Sequence, residues 1–452
     1  MKILIAGCGK IGETLINALS LEGYDLTLID RSSATLSALL GKYDVIGVEG
    51  NCASLDILEE AGVADADLLI ACTGSDEVNL LSCMTAHGRN KNLHTIARIR
   101  NPEYVEQSYK MQDAFGLSLT FNPDRQAATE IERLLRYPGF LKRELFAKGK
   151  MELVELKVDA QSVLKDRALR DISAIVRCRV LICAVLRDGV AHIPDGQFIL
   201  QEGDRIFVTS SPDNLALLLK NLGISSKKVH KVMIAGGGKI TYYLIELLKS
   251  RGIQIAVVEQ DLDRCERLAA DFPNVSVILG DASNHDALAR EGLSDCDALV
   301  TLTGNDELNL ILSLYGMGLK LPQVITKISH MENSRIIDDL PLGSIISPRK
   351  LCSTTVVRYV RAMEAKSGAA VTIHAIADGQ VEAAEFCVEQ DTRHVGEALR
   401  SFRLRPEIRI ACISHGSKTA IPNGDSCFYP GDHLVVVSAI GAEVRQLNDI
   451  FE

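Results

Sequence analysis

Lys2-Ile-Leu-Ile-Ala-Gly7-Cys8-Gly9-Lys10-Ile11-Gly12 reads as a short apolar strand that breaks into a glycine-rich turn and then opens a helix. That context gives the G-x-G-x-x-G spacing its physical meaning. Gly7 permits the tight turn, and Gly9 lets the backbone approach a pyrophosphate at the positive end of the helix. Gly12 lets that helix pack close to the strand. Asp30 closes the second strand, eighteen residues after Gly12. A carboxylate there accepts hydrogen bonds from ribose hydroxyls and repels a 2′-phosphate, so NAD-type or adenosine ligands fit better than NADP. Arg31, next to it, offers a guanidinium that could also meet phosphate.

Buried strands are expected at Lys2–Ala6, Asp25–Ile29, Val45–Val48, Leu68–Thr73, Thr95–Ile99 and Ser118–Phe121. They are continuous apolar runs, not alternations, which is the pattern of a parallel sheet covered on both faces. Helical stretches such as Ile11–Leu21 and Asn79–His87 lie between them, so the fold class is α/β with a doubly wound, Rossmann-like sheet. Ligands of such sheets bind at the carboxyl edge. Thr73-Gly74 end the fourth strand there, and Asn51-Cys52 follow the third, where an adenine ring would lie. Arg98, on the fifth strand, places a cation where phosphate would need one. Asp76-Glu77 begin a helix and read as capping and helix-dipole residues.

Most of this recurs in a second copy about 225–230 residues later. Lys231-Val-Met-Ile-Ala-Gly236-Gly237-Gly238-Lys239-Ile240 repeats the opening strand and loop, and Glu259 answers Asp30. Asp281-Ala282, Thr303-Gly304 and Lys327 stand at the positions of the other crevice residues, and Asp306-Glu307 at those of Asp76-Glu77. The third glycine is replaced by Thr241, whose branched side chain should hold its helix further from the strand. A different nucleotide, weaker binding or a vestigial site all fit that change.

After Pro123 a helix is expected, with Ala127, Ala128, Ile131, Leu134 and Leu135 at helical spacing. Pro138-Gly139 interrupts it, and Leu141–Phe146 reads as a second helix. Leu351–Ala365 is the counterpart. Such a helix either packs on its own domain or reaches a second subunit. From Met151 the pattern becomes short alternating strands with Pro-Asp-Gly and Glu-Gly-Asp turns, a small α+β domain copied from near Val371 onward. The expected domains are 1–123, a Rossmann-like lobe; 124–148, crossover helices; 149–224, a small domain; 229–349, a second lobe; 350–367, a crossover helix; and 369–452, a second small domain. Ser225–Lys228 is the expected link between the halves.

Composition narrows the function. The chain has 452 residues, of which 47% are hydrophobic and 24% charged, as in a globular protein with a substantial core. A formal charge of −10 without any basic run argues against nucleic acid as a partner. The cysteines, Cys8, Cys72 and Cys183 among them, sit scattered in apolar runs without metal-ligand spacing and read as small buried hydrophobes. The immediate entry into a strand predicts no signal peptide, and no apolar run approaches the length of a membrane span. Any action at a membrane would go through a partner.

The order Gly7-x-Gly-x-x-Gly12, Asp30, Thr73-Gly-Ser-Asp-Glu-x-Asn79, Ala97-Arg98 and Asn122-Pro123, followed by a small Pro-Asp-Gly domain, resembles the RCK domain, the regulator of potassium conductance. The duplicated layout is similar to the cytosolic subunits of bacterial Trk potassium-uptake systems. The resemblance implies a regulatory subunit, not an enzyme, that binds NAD(H) and adenine nucleotides such as ATP or ADP. It implies assembly as a dimer or tetramer ring beneath an integral membrane potassium channel, typically of the TrkH or TrkG type. It also makes the helices after Asn122-Pro123 and Ser347-Pro348 crossover helices between subunits.

Two other classes share the glycine loop. An NAD-dependent oxidoreductase needs a substrate domain supplying an acid/base, and no histidine with a plausible carboxylate partner lies near a crevice. A redox-sensing Rossmann scaffold or transcriptional regulator fits poorly with the acidic charge and the absence of a helix-turn-helix segment.

Overall fold

The computed structural model describes residues 1–452 except 137–139, 147–149, 225–227, 330–336, 338, 339, 341, 365–369, 417, 440 and 443. The Pro138-Gly139 break and most of the expected Ser225–Lys228 link therefore lie outside the described residues. The chain divides into two compact units. One holds Met1–Thr129, Lys239–Leu244 and Ser347–Val360; the other holds Glu130–Gly238, Ile245–Ile346 and Arg361–Glu452.

The first unit is built on six parallel strands: β1 (Lys2–Ala6), β2 (Asp25–Asp30), β3 (Ile46–Glu49), β4 (Leu68–Ala71), β5 (His94–Arg98) and β6 (Leu119–Phe121). Their order is β3-β2-β1-β4-β5-β6. Strand order switches between β1 and β4, with β2 and β3 added on one side and β4 to β6 on the other, and such a switch point opens a crevice at the carboxyl edge. Ile3, Ile5, Leu68 and Ile70 are fully buried, as a sheet covered on both faces requires. The crossovers are α1 (Lys10–Leu21), α2 (Ser33–Leu40), α3 (Leu55–Glu60), α4 (Asp76–Arg89) and α5 (Pro102–Lys110), and α6 (Pro123–Arg136) follows β6.

A small antiparallel domain comes next, in the other unit: β7 (Lys142–Phe146), β8 (Met151–Lys157), α7 (Leu169–Val176), β9 (Leu181–Arg187), β10 (Val190–His192), β11 (Arg205–Ser210) and α8 (Pro212–Asn221). Its sheet order is β10-β9-β11-β8-β7. Here one expectation is corrected. The stretch 141–146 is not a helix but the edge strand β7, paired antiparallel with β8 from Lys142↔Glu155 to Phe146↔Met151. The five residues can be helical or extended by spacing alone; a partner strand close in sequence satisfies their backbone groups and buries Phe146.

The second half repeats the plan. It runs β12 (Lys231–Ala235), α9 (Lys239–Leu248), β13 (Gln254–Glu259), α10 (Leu262–Asp271), β14 (Ser276–Leu279), α11 (His285–Arg290), β15 (Ala298–Thr301), α12 (Asp306–Gly318), β16 (Gln323–Lys327), β17 (Ser344–Ile346) and α13 (Pro348–Glu364). Its parallel sheet has the order β14-β13-β12-β15-β16-β17, element for element that of the first. The second small sheet, β18 (Ala370–Ile376), β19 (Val381–Cys387), β20 (Ile408–His415), β21 (Lys418–Ala420) and β22 (His433–Ala439), is ordered β18-β19-β22-β20-β21.

The helices α6 and α13 each contact the other half of the same chain. Within the first unit α13 packs on the first lobe. Gln126 Nε2 donates to Thr355 Oγ1 at 3.3 Å, Cys352 Sγ lies 3.0 Å from Gln126 Oε1, and His94 Nδ1 is 3.1 Å from Tyr359 Oη. Within the second unit the end of α6 meets the second lobe, where Gln323 Nε2 donates to Leu134 O at 2.9 Å and Arg251 pairs with Glu132 at 3.0 Å.

The same unit joins the two small sheets through one apolar cluster containing Phe146, Leu153, Phe207, Ile376, Ala411 and Val435. Phe207 is fully buried within it. Phe207→Ala should cost about 3–5 kcal/mol, read as a lowered midpoint in urea unfolding. An unchanged midpoint would show that the two small sheets do not share a core.

Candidate functional site

At the carboxyl edge of the first sheet the chain leaves β1 through Gly7, whose φ of +93° suits only glycine. A Cβ there would also lie 2.6 Å from Thr73 N. Gly12 is needed for a different reason: a Cβ on it would stand 2.1 Å from Gly7 O, so α1 rests directly on the turn. Gly9 faces open space, with nothing within 4 Å of where its Cβ would be. Packing therefore does not demand a glycine at position 9, whereas a ligand lying against the backbone would. Gly9 is the N-cap of α1 and brings no side chain to its first amides, which leaves donors for an anion. Lys10 is exposed and Ile11 half-buried on the opening turn.

Asp30 holds the loop to β2. Its Oδ2 accepts the N–H of Cys8 at 2.7 Å and its Oδ1 that of Ser32 at 2.9 Å. The carboxylate is half-buried, and each oxygen retains acceptor capacity. Arg31 and Asn51 are exposed, and Asn51 Oδ1 accepts the Ala53 N–H at 3.3 Å.

The thiols around the loop are buried and inert. Burial, then the Asp30 charge, pushes Cys8 far above the usual thiol range. Burial raises Cys52 as well, and brings Cys72 up to about 12. Cys72 Sγ donates to Gly7 O at 3.1 Å.

Opposite the loop stand Thr73, Gly74 and Arg98. Arg98 is 8% exposed; its Nη2 donates to Thr73 O, while its Nε is buried with no partner. No carboxylate forms an ion pair with it among the described residues, and burial holds its pKa below the usual value. A residue given no separate role by sequence reasoning, the fully buried Asn79, ties this side together. Its Oδ1 accepts from Thr73 N and Oγ1 at 2.8 and 2.7 Å, and its Nδ2 donates to Arg98 O at 2.9 Å. The signal was present in the sequence, because Asn309 occupies the same place in the repeat and makes the same bonds to Thr303 and Lys327.

The acidic pairs fall in the first turns of α4 and α12, where the helix dipole favours them, but other residues are the caps. Ser75 and Asn305 cap α4 and α12. Asp76 instead accepts the Arg100 and Asn101 N–H groups at 2.9 and 2.7 Å, and Asp306 that of Ser329 at 2.8 Å.

In the second lobe Gly236 again has positive φ, +106°, and Gly238 again faces open space. Glu259 is 5% exposed and more heavily engaged than Asp30. Its Oε2 accepts from Gly237 N at 2.6 Å, and its Oε1 from both Gln260 N and Asp261 N at 2.9 Å. The loop is crowded at Gly237, where a Cβ would lie 3.1 Å from Glu259 Cβ and 2.9 Å from Leu268 Cδ1. Lys327 Nζ donates to Thr303 O, Gly304 and Asp281 are exposed, and Ala282 is buried. Lys239 and Ile240 open α9, and Thr241, at the third glycine's position, is fully buried.

Among the described residues no helix is long and apolar enough to cross a membrane. The sequence profile of the TrkA-N domain matches residues 3–116 and 232–348, the two parallel-sheet lobes, and that of the TrkA-C domain matches 153–223. The Trk system potassium uptake protein TrkA homolog of Archaeoglobus fulgidus is 30% identical over 452 residues, covering 100% of both chains. The RCK domain of GsuK superposes with a TM-score of 0.63 at 18% identity, over 97% of this chain and 92% of that one. The GsuK channel bound to NAD gives 0.62 at 18% identity, over 97% of this chain and 77% of that one.

Replacing Gly12 by Ala tests the close contact between α1 and the turn. It should destabilise the protein by about 1–3 kcal/mol and lower its melting temperature, whereas Gly9→Ala should leave the melting temperature unchanged. Both lobes and their order along the full length place this chain in the TrkA family of Trk-system potassium uptake proteins.

Proposed function

We propose that this chain is the nucleotide-sensing regulatory subunit of a Trk-type potassium-uptake system, working by binding and not by catalysis. The observation that carries the proposal is Arg98. Its guanidinium is held almost out of water beside Thr73, and Thr73 abuts Gly7 across the crevice. Asp76 and Asp124 act on it only from beyond ion-pair distance, and a buried cation with no direct ion pair is costly and calls for an anion. A nucleotide's phosphates, lying along Gly7–Gly12, supply one, with Asp30 taking the ribose hydroxyls. NAD or NADH fits this arrangement, and ATP or ADP can use the same loop; structural neighbours bound to NAD and to ADP support a nucleotide there. In the second lobe the corresponding set is Gly236–Ile240, Glu259, Asp281, Ala282, Thr303, Gly304 and Lys327.

Ligands that share the loop but differ at the far end shift a conformational balance only by their difference in affinity for its two states. The chain passes that shift to an integral membrane channel subunit of the TrkH or TrkG type from the cytoplasmic face, as part of a dimer or tetramer ring. Residues 1–123 and 229–349 are the sensing lobes, 149–224 and 369–452 the small domains, and 124–148 and 350–367 the connecting segments. Support for a non-catalytic role comes from the histidines. Among the described residues the histidine–carboxylate pairs are His374–Glu144, His394–Glu397, His415–Asp432 and His433–Glu385, all outside the parallel-sheet lobes.

Calorimetric titration with NADH and with ATP checks the proposal. Asp30→Ala, shown by melting to be folded, should weaken binding about tenfold or more, and Arg98→Gln should weaken it similarly. Absence of heat from either nucleotide in folded protein removes the proposal. Oxidation of NADH by a keto acid would return the enzyme reading.

A further inference from the structure

We propose that Tyr243 couples the first crevice to the second glycine loop, as a positioning residue that touches neither ligand. The inference rests on the nucleotide reading above.

Tyr243 belongs to the second half by sequence and to the first unit by packing. Its ring is 8% exposed, and both hydrogen-bonding capacities of its hydroxyl serve the first lobe. The O–H donates to Arg100 O at 3.0 Å and accepts from Asn122 Nδ2 at 2.9 Å. Burial pushes its pKa up to about 12, so the donor proton is retained at neutral pH.

Those partners lie just beyond the carboxyl ends of β5 and β6 in the first lobe. Arg100 lies two residues beyond Arg98, and its N–H and that of Asn101 are held by Asp76 Oδ2. Asp76 in turn begins α4, two residues after Gly74. Arg100 Nε also pairs with the buried Asp124 at 2.7 Å, and Asn122 Oδ1 accepts the Arg125 N–H at 3.0 Å at the start of α6. A ligand that engages Thr73-Gly74 or Arg98 therefore acts on the loop that grips the phenol.

The other end of the connection is covalent. Tyr243 is the fifth residue of α9, and α9 starts at Lys239, directly after Gly236-Gly237-Gly238. Little more than one turn of hydrogen-bonded helix separates the phenol from the glycine loop, so a displacement of one moves the other. Packing alone would be served by phenylalanine; the hydroxyl adds the grip. The counterpart in the first half is Thr14, whose Oγ1 turns back to Lys10 O at 3.0 Å within its own helix. The connection is therefore one-sided.

Hydrogen exchange on the full chain, with and without NADH, tests this. In the native protein NADH should slow amide exchange in residues 8–16 and, through Tyr243, change it about fivefold or more in residues 239–248, the lower end of ordinary coupling. Tyr243→Phe should keep the protection of 8–16 and lose the change in 239–248, with an unaltered affinity for NADH within about threefold. Persistence of that change in the variant overturns the proposal, as does its absence from native protein whose residues 8–16 are protected. Should the variant fail to melt cooperatively, Asn122→Ala is the second probe and must abolish the same change. No protection of 8–16 in native, folded protein would instead sink the nucleotide reading, and this inference with it.

Discussion

A single backbone N–H held by a carboxylate organises each half of this protein. The amide of the residue after the first glycine cannot reach a helical or sheet partner, because the chain is turning there. Asp30 and Glu259 accept it at 2.7 and 2.6 Å. That bond fixes the loop against the second strand, at the start of the next helix. In the second lobe Glu259 and Leu268 crowd the loop residue, which is Gly237 where the first lobe has Cys8.

Much of this was legible in the sequence. The glycine spacing, the acid at the end of the second strand and the whole-unit repeat led to two parallel six-stranded sheets with the same strand order. The crevice residues named from the first motif, Gly7, Gly12, Thr73 and Arg98, do meet, because the sheet's topology leaves them no other place. What the sequence hid was pairwise. The stretch 141–146 carries too few residues for periodicity to separate helix from strand, and only its partner β8 decides. The role of Asn79 depends on a side chain bridging two strands, to which only its recurrence as Asn309 in the repeat points. The engagement of Glu259 by three amides was equally invisible, since Asp and Glu look interchangeable until their reach is measured.

The contrast between the lobes is physical and not merely a matter of divergence. The half-buried Asp30 keeps acceptor capacity, while Glu259 is almost sealed. Arg98 is buried beside a carbonyl in the first lobe, and the corresponding cation in the second is the more flexible Lys327. Arg offers a planar fork for phosphate where Lys offers a point charge. The two crevices share a scaffold but present different chemistry at both the ribose and the phosphate ends.

The exchange of α6 and α13 between halves has an evolutionary consequence. Two identical chains that trade helices must keep every contact self-complementary, because any substitution enters both partners at once. Fusing them into one chain releases that constraint, since His94 can meet Tyr359 while the reciprocal position keeps a different residue. The covalent linkage also makes the pairing of halves independent of protein concentration. A duplicated unit held in one chain thus leaves each half free to specialise.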